Sequence, residues 1–507
     1  MNTELQPRFS HSALARISYC LVVLLTCVAL TFVHALNKSD ETLIGNPYNE
    51  VFHHYMETDQ YDYLADALLH GRLWLNLPVS NSLASMDDPY DFEARISLGS
   101  EDNPIFWDHA FYQGKYYCYF GVVPAVIVFA PYQLLFHRFL TTPRAALLLG
   151  VLATLALSYL ALELVRTVER NNQMRCYMPK LVMIFLLLAA GSNVFESVFA
   201  SRIYAIPVLS SVAVSALGIS FWLKAKRSSN SNKEFAKYLF LGSFFMMLNL
   251  GCRPQFMLGC LLAFPLFWKE IVRDRILFSK RGGRETAAAL IPIPIVAALL
   301  LMYNYCRFGS IFDFGAFYNL TGFDMTDYVM SNSTFLSCLY SATIQPIDFC
   351  RVFPFVRQAS VDLSNGWAPA DPMFGGYFCV VPTSIFSIIC LIKCKAKRVT
   401  SLKSFGCASL LIGLALVFID CKTVGVSTRY FGDFGFYISL SSSIGYMLHF
   451  GSMQVEKNAV SIVMNLMTAF LLFFSALVFL ATLFVQGRYD GVYVLNASFW
   501  NIVRSLF

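Results

Sequence analysis

The chain has 507 residues, 57% of them hydrophobic and 14% charged, with a mean hydropathy of +0.56. A soluble globular chain carries roughly 45–50% apolar and about 25% charged residues, so a soluble enzyme, a disordered chain and a fibrous protein are excluded. The net charge of +6 sits in short loops between apolar runs, as in membrane proteins, and does not signal nucleic acid. A transmembrane barrel would alternate and average a low hydropathy. An all-α polytopic membrane protein remains.

Residues 1–16, with Arg8 and Arg16, read as a cytoplasmic N-terminus. The apolar run 17–36 is long enough to cross a bilayer, and its apolar core is too long for a signal peptide. A long polar stretch rich in Asp, Asn, Pro and Tyr follows, and the first outer loop is drawn over 37–144. Tyr61, Leu64, Ala65, Leu68 and Leu69 repeat with helical spacing, which predicts a short amphipathic helix on the membrane, with Gly71 as its C-cap. Asp59 stands at the N-terminus of that helix, where an acid also serves as a cap.

Further apolar runs lie near 118–136, 145–165, 181–200, 204–223, 238–252, 254–268 and 287–303, then near 377–392, 405–420, 431–450 and 459–485. Whether 118–136 crosses decides the side of every later loop. Loops 166–180, 224–237, 269–284 and 393–403 hold four, five, six and five basic residues. They share the cytoplasmic side with Arg8 and Arg16 only if 118–136 does not cross. Gly121, Pro124 and Pro131 suit a re-entrant or interfacial helix there. The expected architecture is therefore eleven crossings, N-terminus in and C-terminus out. A bundle over 145–303 leads to a second outer loop, 304–376; a second bundle over 377–485 leads to an outer tail, 486–507. The scattered cysteines form no C-x-x-C pair; an outer loop would allow Cys338 and Cys350 to bond, and free buried thiols are the expected state.

Several side chains stand out as chemistry. Asp59 and Asp62 lie one turn apart at the start of the 61–70 helix. Asp108 beside His109 is a pattern that binds a divalent ion, Mg or Mn, or that marks a turn with a buried imidazole. The segment from Tyr112 to Tyr119, with Lys115, Tyr116 and Tyr117, is dense in aromatics suited to a membrane interface or to stacking on sugar rings, and Tyr63 joins them. Arg202, Arg253, Arg307 and Arg429 end apolar runs on the side where the charge bias disfavours them. Snorkelling is the plain explanation; binding a phosphate at that depth is the functional one.

Asp59, Tyr63, Ala67 and Gly71, four residues apart just after a first crossing, resemble the first outer loop of the GT-C superfamily of membrane glycosyltransferases. The likeness is to the protein O-mannosyltransferases and the aminoarabinose transferase of lipid A, and it extends to eleven spans with long loops after the first and seventh. Lys115 ahead of Gly121-Val-Val-Pro124, Ser201-Arg202-Ile-Tyr204 and Arg429-Tyr430 sit where such enzymes place similar groups. Gln60 departs from the family's second acid, a role that would pass to Asp62 or Glu57. The resemblance implies a polyprenyl-phosphate sugar donor and a hydroxyl acceptor at the outer face. It implies inverting transfer with Asp59 as base, and the lysine and arginines on the leaving phosphate. Without a Gly-rich phosphate loop no nucleotide cofactor is expected. The competing classes are a transporter or lipid flippase, which would carry ionisable groups at mid-span, and a non-catalytic subunit of the same shape.

Overall fold

A computed structural model describes residues 13–37, 48–49, 53–56, 59–100, 102–172, 178–229, 231–364, 366–392, 400–451 and 459–507. Among them seven helices are long and apolar enough to cross a membrane: Arg16–Leu36, Thr142–Glu169, Ala205–Arg227, Pro254–Arg273, Lys280–Phe308, Ser401–Val424 and Ile462–Leu483. The chain is an integral, multi-pass helical protein. The other four expected crossings are interrupted or fall outside this set. Run 181–200 breaks into Met178–Gly191 and Val194–Phe199 at Asn193, whose φ of 54° is left-handed and whose amide donates to the Thr428 carbonyl at 2.9 Å. Run 377–392 is three short pieces around Pro382. Asn232–Met247 ends in a 3₁₀ turn, and Phe431–Gly451 is a 21-residue helix.

Ala205–Arg227 is the central pillar, buried along nearly its whole length. Ser210, Ser211, Ala213, Ser215, Ala216, Gly218 and Ser220 make it slender, so Thr142–Asn172 and Asn232–Met247 pack close against it. A Cβ on Gly218 would lie 2.7 Å from Met246 Cγ. The segment 118–136 is not among those seven. A π-turn, Ala125–Phe129, runs into the helix Ala130–Phe136, together about 18 Å long against a core of about 30 Å.

The predicted helix after the first crossing spans Gln60–Leu69, and Gly71 closes it at φ +70°. It does not lie open on a membrane surface: Tyr61, Leu64 and Ala65 are fully buried, and the helix packs against Ala125–Phe136. The first polar stretch also holds a hairpin, Ala110–Tyr112 paired with Lys115–Tyr117, turning on Gln113 and Gly114, both at positive φ. The second polar stretch is folded, with the helix Asn332–Thr343 and a two-stranded ribbon, Asp348–Phe349 with Val356–Arg357. Asp108 N–H donates to the Leu320 carbonyl at 3.0 Å and Leu320 N–H returns a bond to His109 at 2.9 Å, so the two stretches are stitched backbone to backbone. Cys338 and Cys350 are free thiols.

Candidate active site

Three helix breaks converge on one cavity. The pieces are Val194–Phe199 with the start of Ala205–Arg227, the turn that ends at Pro254, and the 3₁₀ turn Thr428–Tyr430. The cavity encloses ≈ 390 Å³, its open mouth included. Ala200, Ala205 and Val208 form an apolar wall; Tyr204, Tyr430, Ser197 and Glu196 complete it with two guanidiniums, Arg253 and Arg429.

Both arginines are held before any ligand arrives. Arg253 pairs with Asp433, and Gln255 Nε2 donates to Asp433 at 3.2 Å and to Asp420 at 3.1 Å. Arg429 pairs with Asp371 and lies 4.1 Å from the Tyr204 ring centroid. Burial opposes the Arg429 charge, but Asp371 outweighs it and holds the guanidinium above its usual range. Behind the cavity wall, Glu196 is gripped by Arg488, which also bonds Asp490 at 2.6 Å. The segment after the last long helix therefore belongs to the site.

The structure separates the other sequence candidates. Arg202 is exposed at the rim, 4.5 Å from the Tyr489 ring centroid. Arg307 is buried elsewhere, donating to the Cys118 carbonyl and Asn304 Oδ1, each at 2.8 Å. Lys115 is exposed on the hairpin, 4.0 Å over the Trp74 ring. Tyr116 and Tyr117 are core, and Tyr63 is half-buried. Tyr116 is fully buried against Phe106 and Phe111, Tyr117 packs on Phe308, and Tyr63 meets Phe139 edge-on. The Asp59 side chain makes no capping hydrogen bond to its own helix. Its Oδ1 accepts from Thr142 N–H at 2.9 Å, at the start of the long helix Thr142–Asn172. Asp62 is fully buried and its Oδ1 accepts from Leu140 N–H at 2.9 Å and Gln133 Nε2 at 3.0 Å. Both tie the short 125–136 helix and its exit to Gln60–Leu69, away from the cavity lining. Glu57 lies outside the described residues.

Asp108 and His109 are each held by protein neighbours. His109 Nδ1 sits 2.8 Å from the Trp107 carbonyl, and burial pushes the imidazole down to about 4, so it stays neutral. Asp108 Oδ1 accepts from Asn319 at 3.3 Å. Among the described residues no three His, Cys, Asp or Glu side chains gather for a metal ion. Burial pushes the Asp108 carboxyl up, while Thr321, the Arg429 charge and Asn319 pull it back. Sequence reasoning missed Asp371, Gln255, Arg488 and Asp490. Gln255 had a local signal, two residues after Arg253; the others join the site only through the fold.

No protein-family model and no curated protein matches the chain. Its fold is similar in outline to the oligosaccharyltransferase of Archaeoglobus fulgidus tethered to an acceptor peptide, at 12% identity and a TM-score of 0.48. It is likewise similar to AglB of that organism in complex with an inhibitory peptide and a dolichol-phosphate, at 13% identity and a TM-score of 0.46. These alignments cover 96% and 95% of this chain but 56% and 57% of those chains, so the chain spans a little over half their length. What the site can do is decided by its own residues.

Proposed function

We propose that the chain is a GT-C-type membrane glycosyltransferase. It moves a sugar from a polyprenyl-phosphate donor to a hydroxyl on a glycan, lipid or protein, at the outer face of the membrane and with inversion. The observation that carries this reading is the cavity, which sets two guanidiniums against an apolar wall. A lipid-linked phosphate has that same division: an anionic head that arginine grips bidentately, and an apolar tail. Arg253 and Arg429, fixed by Asp433 and Asp371, meet the charge that grows on the phosphate as the sugar leaves, without reorganising.

Arg253→Gln and Arg429→Gln each remove a charged donor worth about 1.5–3 kcal/mol, or roughly 10- to 150-fold in affinity. Binding of a synthetic polyprenyl-phosphate sugar to the chain in nanodiscs checks this; unchanged binding in both variants refutes it. A transporter draws support from Asp420 and Asp433, buried in helices. Yet Asp433 is the third residue of Phe431–Gly451, and Asp420 lies within the last turns of Thr400–Val424, so neither is at mid-span.

A further inference from the structure

The two cavity arginines stand on different turns, Arg253 just ahead of Pro254–Leu262 and Arg429 within Thr428–Tyr430. One phosphate engages both only if those turns are held together. Resting on the glycosyl-transfer reading, we propose that Gln255 and Asp420 are positioning residues: they hold Arg253 and Arg429 at the spacing that grips the donor phosphate as the sugar leaves.

Asp420 lies near the end of Thr400–Val424, and Asp433 at the start of Phe431–Gly451. The residues between these helices, 425–430, form the turn that carries Arg429. Gln255 stands two residues after Arg253, and its Nε2 donates to Asp420 Oδ1 at 3.1 Å and to Asp433 Oδ2 at 3.2 Å. One amide thus clamps both helices that flank Arg429 to the turn that carries Arg253. Asp433 Oδ2 accepts from Arg253 as well, so the clamp closes on the guanidinium itself. The other side of the 425–430 turn is fixed independently. Val426 N–H donates to the Pro369 carbonyl and Asp371 N–H to the Val426 carbonyl, each at 3.0 Å, in the loop that supplies Arg429 with its carboxylate. Gly425 allows this approach: its φ is +77°, and a Cβ there would lie 2.0 Å from Pro369 O.

Stability alone does not account for Asp420. The residue is buried, and among the described residues no cation pairs with it. Its Oδ2 and Asp433 Oδ1 are both buried without a hydrogen-bond partner. Lys422, two residues on from Asp420, donates instead to the Met330 carbonyl at 2.9 Å. Replacing buried ionic groups by apolar residues of similar volume is often neutral or stabilising, so stability by itself would favour an apolar residue here. Geometry is what the network supplies. Arg253 and Arg429 act on charge that develops only as the bond from the anomeric carbon to the phosphate oxygen breaks. A misplacement of about 1 Å can cost 10²-fold in such a step. Gln255 and Asp420 are not among the residues lining the cavity, and they act through the arginines that are.

The test uses the full chain in nanodiscs with a panel of synthetic polyprenyl-phosphate sugars. Donor binding, thermal melting and kcat are read separately, kcat as sugar released from the lipid phosphate to an alkyl glycoside or to water. Gln255→Met removes the clamp and leaves every charge in place. Arg253 keeps Asp433 and Arg429 keeps Asp371, so the arginines are loosened rather than displaced. The variant is expected to bind donor within about threefold of wild type and to lose about 10- to 10²-fold in kcat. Asp420→Ala is expected to lose likewise. Asp420→Asn, whose side-chain carbonyl still accepts from Gln255, is expected to return kcat to within about threefold of wild type. A network that serves stability alone gives lower melting midpoints with kcat per folded molecule unchanged, and that result overturns the proposal. So does an equal loss in Asp420→Asn and Asp420→Ala, or a loss in Gln255→Met that falls on donor binding and spares kcat. Where Gln255→Met does not fold, Gln255→Asn, one methylene too short to reach both carboxyls, makes the same comparison. A wild-type chain that binds none of the donors, or releases no sugar from those it binds, overturns the glycosyl-transfer reading and this proposal with it. An active wild type beside an equally active Gln255→Met overturns the positioning role alone.

Discussion

Arg488→Met isolates the energetics of the cavity's rear wall. Arg488 is 2% exposed, bonds Asp490 through Nε and grips both oxygens of Glu196, a cavity residue. Its guanidinium lies between the Phe199 and Phe374 rings, 5.0 and 5.7 Å from their centroids. Burial alone would push Asp490 up, but Arg488 holds it below its usual range. Removing the arginine strands two buried carboxylates, which costs about 3–5 kcal/mol. At roughly 2.1 cal/mol/K per residue, 507 residues give an unfolding entropy of about 1 kcal/mol/K, so the midpoint is expected to fall by about 3–5 °C. A thiol-reactive dye reads this, because Cys118, Cys252, Cys338, Cys390 and Cys421 are buried until the chain opens. The triple variant Arg488→Met/Glu196→Gln/Asp490→Asn is expected to recover most of the loss, since replacing all members of a buried ion cluster is often neutral. A single variant that melts with wild type, or a triple variant as unstable as the single, refutes the reasoning.

Gly121→Ala tests the turn that carries Arg253. A Cβ there would lie 2.2 Å from Gly251 O and 2.5 Å from Cys252 O, backbone atoms that cannot rotate away. The clash moves the turn, and donor affinity is expected to fall by about tenfold or more, the equivalent of 1–3 kcal/mol of overpacking; Gly283→Ala, where a Cβ meets nothing within 4 Å, is expected to be silent. His109 gives a pH signature. Its native value of about 4 lies below the unfolded 6.5, so the unfolded chain binds more protons between them. Stability therefore falls as pH drops from about 6.5 to about 4, by roughly 3 kcal/mol, and levels off below that. In the difference between wild type and His109→Phe, melting midpoints across that window should show this slope; parallel curves refute the assignment.

Local pattern carried much of the fold. The 61–70 helix with Gly71 after it follows from periodicity, and the short broken helix within 118–136 from where Gly and Pro fall. The helix breaks were harder. Asn193 interrupts an apolar run that reads as continuous, because the energy that favours the break comes from a bond to Thr428. The arginines were visible as residues that disobey the charge bias, and two of the four reached the cavity. What sorted them is tertiary. Arg253 meets an acid 180 positions away, Glu196 an arginine 292 away, and Asp59 a helix start 83 away. A carboxylate at a helix N-terminus reads as that helix's own cap; nothing local shows that it caps another. Tyr116 and Tyr117 read as interface aromatics because hydropathy does not say which ring faces inward.

The irregular backbone around the cavity and the charges in it have a common cause. A helix break inside an apolar bundle frees carbonyls and amides that lipid cannot satisfy, so it survives only where protein lines it. Arg253, Arg429 and Asn193 all stand at such breaks, where the backbone opens room for a guanidinium or an amide. Each cavity arginine then needs a counter-charge, because an unpaired buried ion costs several kcal/mol. Asp433 and Asp371 supply it, and the result is a site that is oriented but close to neutral. That balance matters for turnover. A bare pair of arginines would hold the sugar phosphate and the released lipid phosphate with equal strength, which lowers KM without raising kcat. Arginines already shared with carboxylates bind the resting anion more weakly and respond most to the extra charge that appears on the leaving oxygen. A lipid phosphate can then depart after each transfer, and the site is left paired for the next donor.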